Sequence, residues 1–535
     1  MLMQVIKLPS NVPKRTRFGY PWNLKRSRFM SEQFILQPGQ LSLLSIKQIL
    51  DEELSCVLAE NSFELIRASH QTVKKVIDEK KTVYGINTGF GSLANQTISS
   101  DCLKELQRNI VLSHACGTGK LLPDDVVALI LLLKINNLSQ GYSGVRLELI
   151  NALIALFNHK VYPCIPSKGS VGASGDLVPL AHLSLPLLGE GEVRHQGQVI
   201  SAEEGLKLAG LKPLELEAKE GLALLNGLQV STALALSALF ISETLFETAI
   251  ISGSLSVDAA SGSDVPFDDR IHQIRGHQAQ ISAASMYRNL LAGSQIRESH
   301  RHCNRVQDPY SLRCQPQIMG AILHQMQFVG QTLQVEANAI SDNPLVFAEQ
   351  GDILSGGNFH GEIIAMAADN LALALSEIGG SAERRIALLI DKNFSGLPAF
   401  LVRESGLNSG FMIAHVTAAS CASDNKALAH PHSVDSLPTS ANQEDHVSMA
   451  TSAARRLHEM IDNTSTILAI ELLAACQGLE FHKPLKTSPQ LDKIYQSVRS
   501  VVKEYDKDRY FAPDIEKIKK KILDKEFSLL TLTNE

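Results

Sequence analysis

From residue 222 to residue 260 the chain is almost continuously apolar, yet it carries Asn226, Gln229, Glu243 and Glu247 among many Ser, Thr and Ala. A membrane span tolerates such groups poorly, whereas a helix sunk in a protein bundle can pair each of them with a neighbour. The stretch therefore predicts a long helix that other helices surround. Further long helical patterns cover 315–341, 361–389, 409–428 and 444–477, punctuated by Pro344, Pro398 and Pro431. A shorter apolar helix over 126–138 starts at Pro123-Asp124-Asp125 and is interrupted by Lys134, Asn136 and Asn137, so it is too short to span a membrane. Residues 38–78 read as one or two amphipathic helices, and Ile98-Ser99-Ser100-Asp101 as a capped helix start. Strand-like alternation is confined to the neighbourhood of 192–200, with a turn at Gly197. The expected fold is mostly α, a long central helix bundle with an N-terminal mixed helical domain.

Composition narrows the function. At 535 residues, 44% apolar and 20% charged, the chain has the make-up of an ordinary globular protein. A net charge of −6 argues against nucleic acid as the main partner. Its eight cysteines occur singly, with no CxxC pair, so neither a zinc site nor a disulfide framework is indicated. The expected setting is a reducing cytoplasm, with no metal and no membrane. Residues 1–29 differ: they hold seven Lys/Arg, no Asp or Glu, and three prolines. They are expected to be a disordered basic extension upstream of a start at Met30. The remainder divides into an N-terminal domain, 30–225, and a helical bundle with C-terminal helices, 226–535.

Several familiar chemistries fail on inspection. Gly172-Ala173-Ser174-Gly175-Asp176 is not a nucleophile elbow, because Asp176 stands where a Gly is needed. Gly117-Thr118-Gly119-Lys120 lacks the first glycine of a P-loop, and His458-Glu459-Met460-Ile461-Asp462 lacks the second His of a zincin. The Ala173-Ser174-Gly175 triplet permits something else. In a tight bend the Gly175 amide nitrogen can close on the Ala173 carbonyl. Loss of two waters, one carrying off the Ser174 hydroxyl, then leaves a methylidene-imidazolone ring. Gly175 has no Cβ to block the compressed geometry. Such a ring is an electrophile made from backbone alone.

The stretches VGASGDLVPLAH, VYGINTGFG (83–91), LSHACGTG (112–119), EGLALLNG (220–227), RVQDPYSLRCQPQ (305–317), SDNPLV (341–346), SGGNFHGE (355–362) and NQEDHVSM (442–449) extend the argument. In these motifs, and in their order from about Met30 to Pro484, the chain resembles the aromatic amino-acid ammonia-lyases. Val178, Leu228 and Cys116 depart from the family's usual residues, and the basic tail has no counterpart in it. The resemblance implies an ammonia-lyase fold and a carbon–nitrogen lyase using the ring of Ala173, Ser174 and Gly175, formed autocatalytically, with no external cofactor.

Elimination of ammonia from an α-amino acid needs an electrophile for the amine and a base for the β-proton. The resemblance makes Tyr84 the base, on a Gly-flanked loop able to close and exclude water. It makes Arg313 the clamp for the substrate carboxylate, with Tyr310 aiding proton transfer or ring polarisation. Gln307, Tyr310 and Arg313 would line one edge if their segment is helical. Asn226 would hydrogen-bond the ring carbonyl or the substrate. Phe359 would pack against either, with His360 a weaker candidate. His114 and Glu444 match the pattern of members acting on histidine, where an imidazole needs a donor and an acceptor. The implied reaction is L-histidine to trans-urocanate and ammonia, the first step of histidine degradation. The implied assembly is a homotetramer with pockets shared between subunits.

Overall fold

The computed structural model describes residues 33–301 and 305–529. The basic segment 1–29 and Cys303 lie outside the described residues.

Short strands and helices make up the first part. β1 (Gln33–Leu36) pairs in parallel with β2 (Ser55–Leu58), and α1 (Leu43–Asp51) crosses between them. α2 (Phe63–Asp78) follows, so 38–78 holds two helices and also a strand that the sequence pattern did not suggest. α3 (Leu103–His114) begins after a 3-10 turn at Ser100–Cys102, later than the expected start, and no side chain caps it. α4 (Asp124–Leu138) starts behind Pro123 with two aspartates in its first turn, where they complement the helix dipole. From Val126 to Leu138 every residue of α4 is buried. Lys134, Asn136 and Asn137 each donate to a backbone carbonyl elsewhere in the fold. α5 (Leu147–Asn158) packs on α4. β3 (Thr118–Leu121) pairs with β5 (Pro166–Lys168), and β4 (Tyr162–Pro163) extends the β6–β7 hairpin (Glu192–His195 and Gln198–Ser201), whose turn includes Gly197. α6 (Leu177–Ser184) follows the Ala173-Ser174-Gly175 turn. α7 (Ala202–Leu208) opens with a Ser201/Glu204 capping box.

The apolar stretch from 222 to 260 is two helices: α8 (Glu220–Leu225) and α9 (Gln229–Ala259), separated by Asn226, Gly227 and Leu228. α10 (Asp269–Arg275), α11 (Gln278–Leu291), α12 (Gln295–Ser299) and the single turn α13 (Tyr310–Arg313) lead into α14 (Gln315–Glu336). The β8–β9 hairpin (Leu345–Phe347 and Asp352–Leu354) precedes α15 (Glu362–Ile390) and α16 (Lys392–Ser395). There follow α17 (Met412–Leu428), α18 (Ala450–Glu480), α19 (Pro489–Val501) and α20 (Ala512–Leu523). Helices α9, α15 and α18 pack on one another at the centre, with α14, α17, α11 and α20 around them. The main hydrophobic core runs from Leu36 to Leu529, and a smaller cluster of Val73, Val76, Ile86, Leu103, Ala218 and Val346 lies apart from it. Helices α9 and α15 are long and apolar enough to cross a membrane, but 78% and 61% of their most apolar windows lie buried inside the protein.

The centre of the bundle is not purely apolar. Glu471 of α18 accepts from Ser252 and Ser256 of α9, at 2.7 and 2.8 Å, and from Arg385 Nη2 of α15 at 3.0 Å. A buried charge is tolerated only when paired and hydrogen-bonded in this way.

Candidate active site

The Ala173-Ser174-Gly175 turn sits where several helices begin. Gly175 forms a bridge with Gly227, in the break before α9, and Asp176 N–H donates to Gly227 O at 2.8 Å. Met449 N–H, just before α18, donates to Val171 O at 2.8 Å, and Ser448 Oγ donates to Gly172 O at 2.9 Å. A Cβ on Gly361, which precedes α15, would touch Ser448, Ala450 and Leu228. The N-termini of α6, α9, α15 and α18 therefore converge on one turn, and their dipoles favour negative charge there.

The bend is as tight as the sequence suggests. Gly172 and Gly175 both have positive φ, 66° and 79°. A Cβ on Gly175 would lie 2.4 Å from Gly227 O, so no other residue fits. Asp176 anchors the turn from below. It is fully buried and accepts from Ser231 N–H and Oγ and from Thr451 Oγ1, at 2.7, 2.9 and 2.6 Å. Burial raises its pKa, against the hydrogen bonds from Thr451 and Ser231.

Two of the residues singled out from sequence, Asn226 and Glu444, meet on Ser174. Asn226 Nδ2 donates to Ser174 O at 2.8 Å, and Ser174 Oγ donates to Glu444 Oε1 at 2.7 Å. Asn226 Oδ1 is buried with no hydrogen-bond partner, which leaves an acceptor free in the site. Burial would raise the Glu444 carboxyl, but Thr439, Ser174, Ser440 and His114 outweigh it and hold the group below the usual glutamate value. His114 feels the Glu444 charge, yet burial dominates and holds its ring below the ordinary 6.5. Its Nδ1 lies 3.1 Å from Ser113 Oγ, which leaves Nε2 for a ligand.

Tyr84 lies on a loop beside these groups. Gly85 has φ 75°, and a Cβ there would meet Leu222 and Pro344 within 2.8 Å. Gly91 N–H donates to Tyr84 Oη at 3.3 Å, and the 3-10 turn Gly91–Leu93 packs against the turn Ser440–Asn442 that precedes Glu444. Phe359 is half-buried next to Gly361 and His360. The His360 and His446 rings stack 5.7 Å apart, and with Glu362 their donor atoms all lie within 4.8 Å of one another. That donor set could take a divalent cation.

Gln307, Tyr310 and Arg313 are placed differently. Only Tyr310 and Arg313 share a helix, the single turn α13, because Pro309 disfavours helical backbone at Asp308. Gln307 lies outside it, exposed, which corrects the expected common edge. Arg313 stacks on the Tyr310 ring at 4.5 Å, and its Nε is buried without a partner. Gln315, two residues on, bonds Gly253 of α9. At 1.5 Å rise per residue, Gly253 is roughly 36 Å along α9 from Gln229, the end of the helix next to Asn226. One chain thus keeps these three residues at the far end of the bundle from Ser174.

Residues 41–500 match the family described as aromatic amino acid lyase. The chain belongs to the aromatic amino acid lyase family. Among these lyases, histidine ammonia-lyase of Legionella pneumophila (strain Paris) is 99% identical over 506 residues, 95% of this chain and all of its own. The crystal structure of histidine ammonia-lyase from Trypanosoma cruzi superposes with TM-score 0.85 at 38% identity, covering 92% of this chain and 94% of that one. Phenylalanine aminomutase of Pantoea agglomerans superposes as well, with TM-score 0.87 at 31% identity over 92% of this chain and 99% of its own. The lyase fold is therefore common to different substrates and outcomes, and the choice among them rests on site residues.

Sequence reading missed two groups around this lyase site. Asp176 was visible only as the residue that spoils a nucleophile elbow. Lys134 was visible only as a charge interrupting an apolar run, and that lone charge was the available signal.

Proposed function

We propose that this chain eliminates ammonia from L-histidine to give trans-urocanate, using a methylidene-imidazolone formed autocatalytically from Ala173, Ser174 and Gly175. The observation that carries the reading is the meeting of Asn226 and Glu444 on Ser174. The near-complete identity to a histidine ammonia-lyase supports the choice of substrate.

The turn fits the ring. Its residues carry nothing larger than a hydroxymethyl group, and Gly175 occupies a space that a Cβ would fill. The orphaned Asn226 Oδ1 gives the site an unused acceptor. When formed, the ring supplies an electrophile towards which the substrate amine is drawn. Ser174, Ala173 and Gly175 provide its atoms, and Asn226 Nδ2 stays on the Ser174 carbonyl, polarising it.

The other residues bind and move protons. Glu444, ionised, accepts from the substrate imidazole, and neutral His114 presents Nε2 to it. Phenylalanine or tyrosine would leave both groups unpaired in a half-buried pocket, a heavy cost. Tyr84 Oη takes the β-proton, and its loop shields the site from water. Phe359 packs beside the substrate. Gln307, Tyr310 and Arg313 come from another subunit of a homotetramer, where Arg313 clamps the carboxylate and Tyr310 assists proton transfer. Their distance from Ser174 within one chain supports this assignment, as does the unpaired Arg313 Nε. The seven described cysteines are all free, in keeping with a cytoplasmic setting.

Intact-mass measurement and product absorbance test the reading together. The purified protein is expected two waters below its encoded mass and active on histidine, not on tyrosine or phenylalanine. Ser174→Ala should restore the encoded mass and lower kcat by at least about 10³-fold, the scale of losing a covalent catalytic group. An unmodified wild-type mass, or turnover of tyrosine alone, would overturn it.

A further inference from the structure

The break between α8 and α9 leaves backbone polar groups without helical partners in a buried part of the molecule. Asn226 is buried there, with its backbone extended at φ −80° and ψ 133°. Its carbonyl cannot join a helix ladder, so it needs a partner. Lys134 supplies one. The side chain leaves the middle of α4, fully buried, and Nζ donates to Asn226 O at 2.7 Å and to Gln229 Oε1 at 3.3 Å. Gln229 and Leu228 are pinned in turn by Ser341 Oγ, at 3.0 and 3.2 Å. Nearby, Lys219 and Asp342 form a second fully buried pair at 2.7 Å.

A buried lysine is costly, and apolar α4 would pack as well with Met or Leu at this position. Burial pushes the Lys134 ammonium down to about 7, with Asp342 and Asp176 opposing and Lys219 adding to the fall. Charged or neutral, the amine keeps N–H donors, so its bonds to the break do not depend on titration. What the group does is geometric. Asn226 has its carbonyl on Lys134 and its amide Nδ2 on Ser174 O, 2.8 Å away. A shift of the backbone at one end is a shift of the donor at the other.

We propose that Lys134 is a positioning residue of the lyase site, holding the Asn226 backbone so that Asn226 Nδ2 points at the Ser174 carbonyl. The proposal rests on the function proposed above. It adds to that reading a residue buried behind the pocket, acting only through Asn226.

A double-mutant cycle between Lys134→Met and Asn226→Ala tests it on the full-length enzyme. Lys134→Met is expected to lower kcat on histidine about 10- to 100-fold, the usual cost of an ångström-scale misplacement. KM should change less than about threefold, since Lys134 makes no substrate contact. In the Asn226→Ala background the same substitution should cost almost nothing more, because the group it aims is gone. Hydrogen exchange should quicken over 226–231 in Lys134→Met, and the two-water mass deficit should persist. If Lys134→Met does not fold, Lys134→Leu, which also lacks an N–H donor, takes its place in the cycle. Multiplying losses in the double variant, or unchanged kcat and exchange in the single one, would overturn the proposal. Wild-type protein lacking histidine turnover or the mass deficit would instead overturn the functional reading.

Discussion

At neutral pH Glu444 is ionised and His114 neutral, and their surroundings reinforce that difference. Hydrogen bonds from Thr439, Ser174 and Ser440 outweigh burial at the carboxylate, whereas burial prevails at the imidazole. His114 is therefore neutral at pH 7, and acidification through its lowered pKa charges it. A charged ring can only donate, so Nδ1 can no longer accept from Ser113 Oγ, and the hydrogen bond that aims Nε2 at the substrate is lost. The histidine substrate titrates in the same range, and a bare pH profile would mix the two. Dividing the kcat/KM of the wild type by that of His114→Asn at each pH removes the substrate's ionisation, which both share. The ratio should fall on the acid side with a midpoint below the ordinary 6.5. A flat ratio, or a midpoint above that value, would remove His114 from substrate recognition. These residues were legible because each sits in a distinctive short motif. Their mutual distances were not, since Ser174, Asn226 and Glu444 come from three distant stretches.

Among the elements, α9, α15 and α18 are joined through Glu471, and the join is polar where the sequence looks apolar. Arg385 is only 1% exposed, so removing its partner strands a guanidinium in the core. Glu471→Ala should cost about 3–5 kcal/mol, read from urea unfolding, whereas replacing Glu471 and Arg385 together by Met should recover most of that loss. A loss under about 1 kcal/mol for the single change would mean that water reaches the pair. The long helices themselves were legible from apolar periodicity, with ends off by a few residues. The break at Asn226 was not. Leucines flank it on both sides and mask the Asn226-Gly227 turn dipeptide, whose Gly227 takes φ 133°; Lys134 on the freed carbonyl and Ser341 on Leu228 N–H then hold the break. The β1–β2 pair escaped for a related reason. Four-residue strands separated by a helix leave little local alternation to detect.

At the scale of the whole molecule, one chain cannot bring Arg313 to Ser174, because the length of α9 lies between them. The bundle's outer faces say what could. Ile363, Met366 and Leu373 form an exposed apolar stripe along α15, and Ile413 and Val416 do so on α17. Patches of this kind mark protein–protein contacts. A second copy laid antiparallel along the bundle would carry its own Tyr310 and Arg313 to the first copy's ring turn. Mixing two inactive variants separates this arrangement from a site confined to one chain. Ser174→Ala lacks the ring but keeps Arg313, and Arg313→Ala keeps the ring but lacks the clamp. If each site takes its ring from one subunit and its arginine from another, co-expression in equal amounts leaves about a quarter of sites with both groups intact. Activity should therefore return to about a quarter of wild type. If both groups served the same site within one chain, no mixed assembly could contain an intact site, and activity would stay at the level of the separate variants.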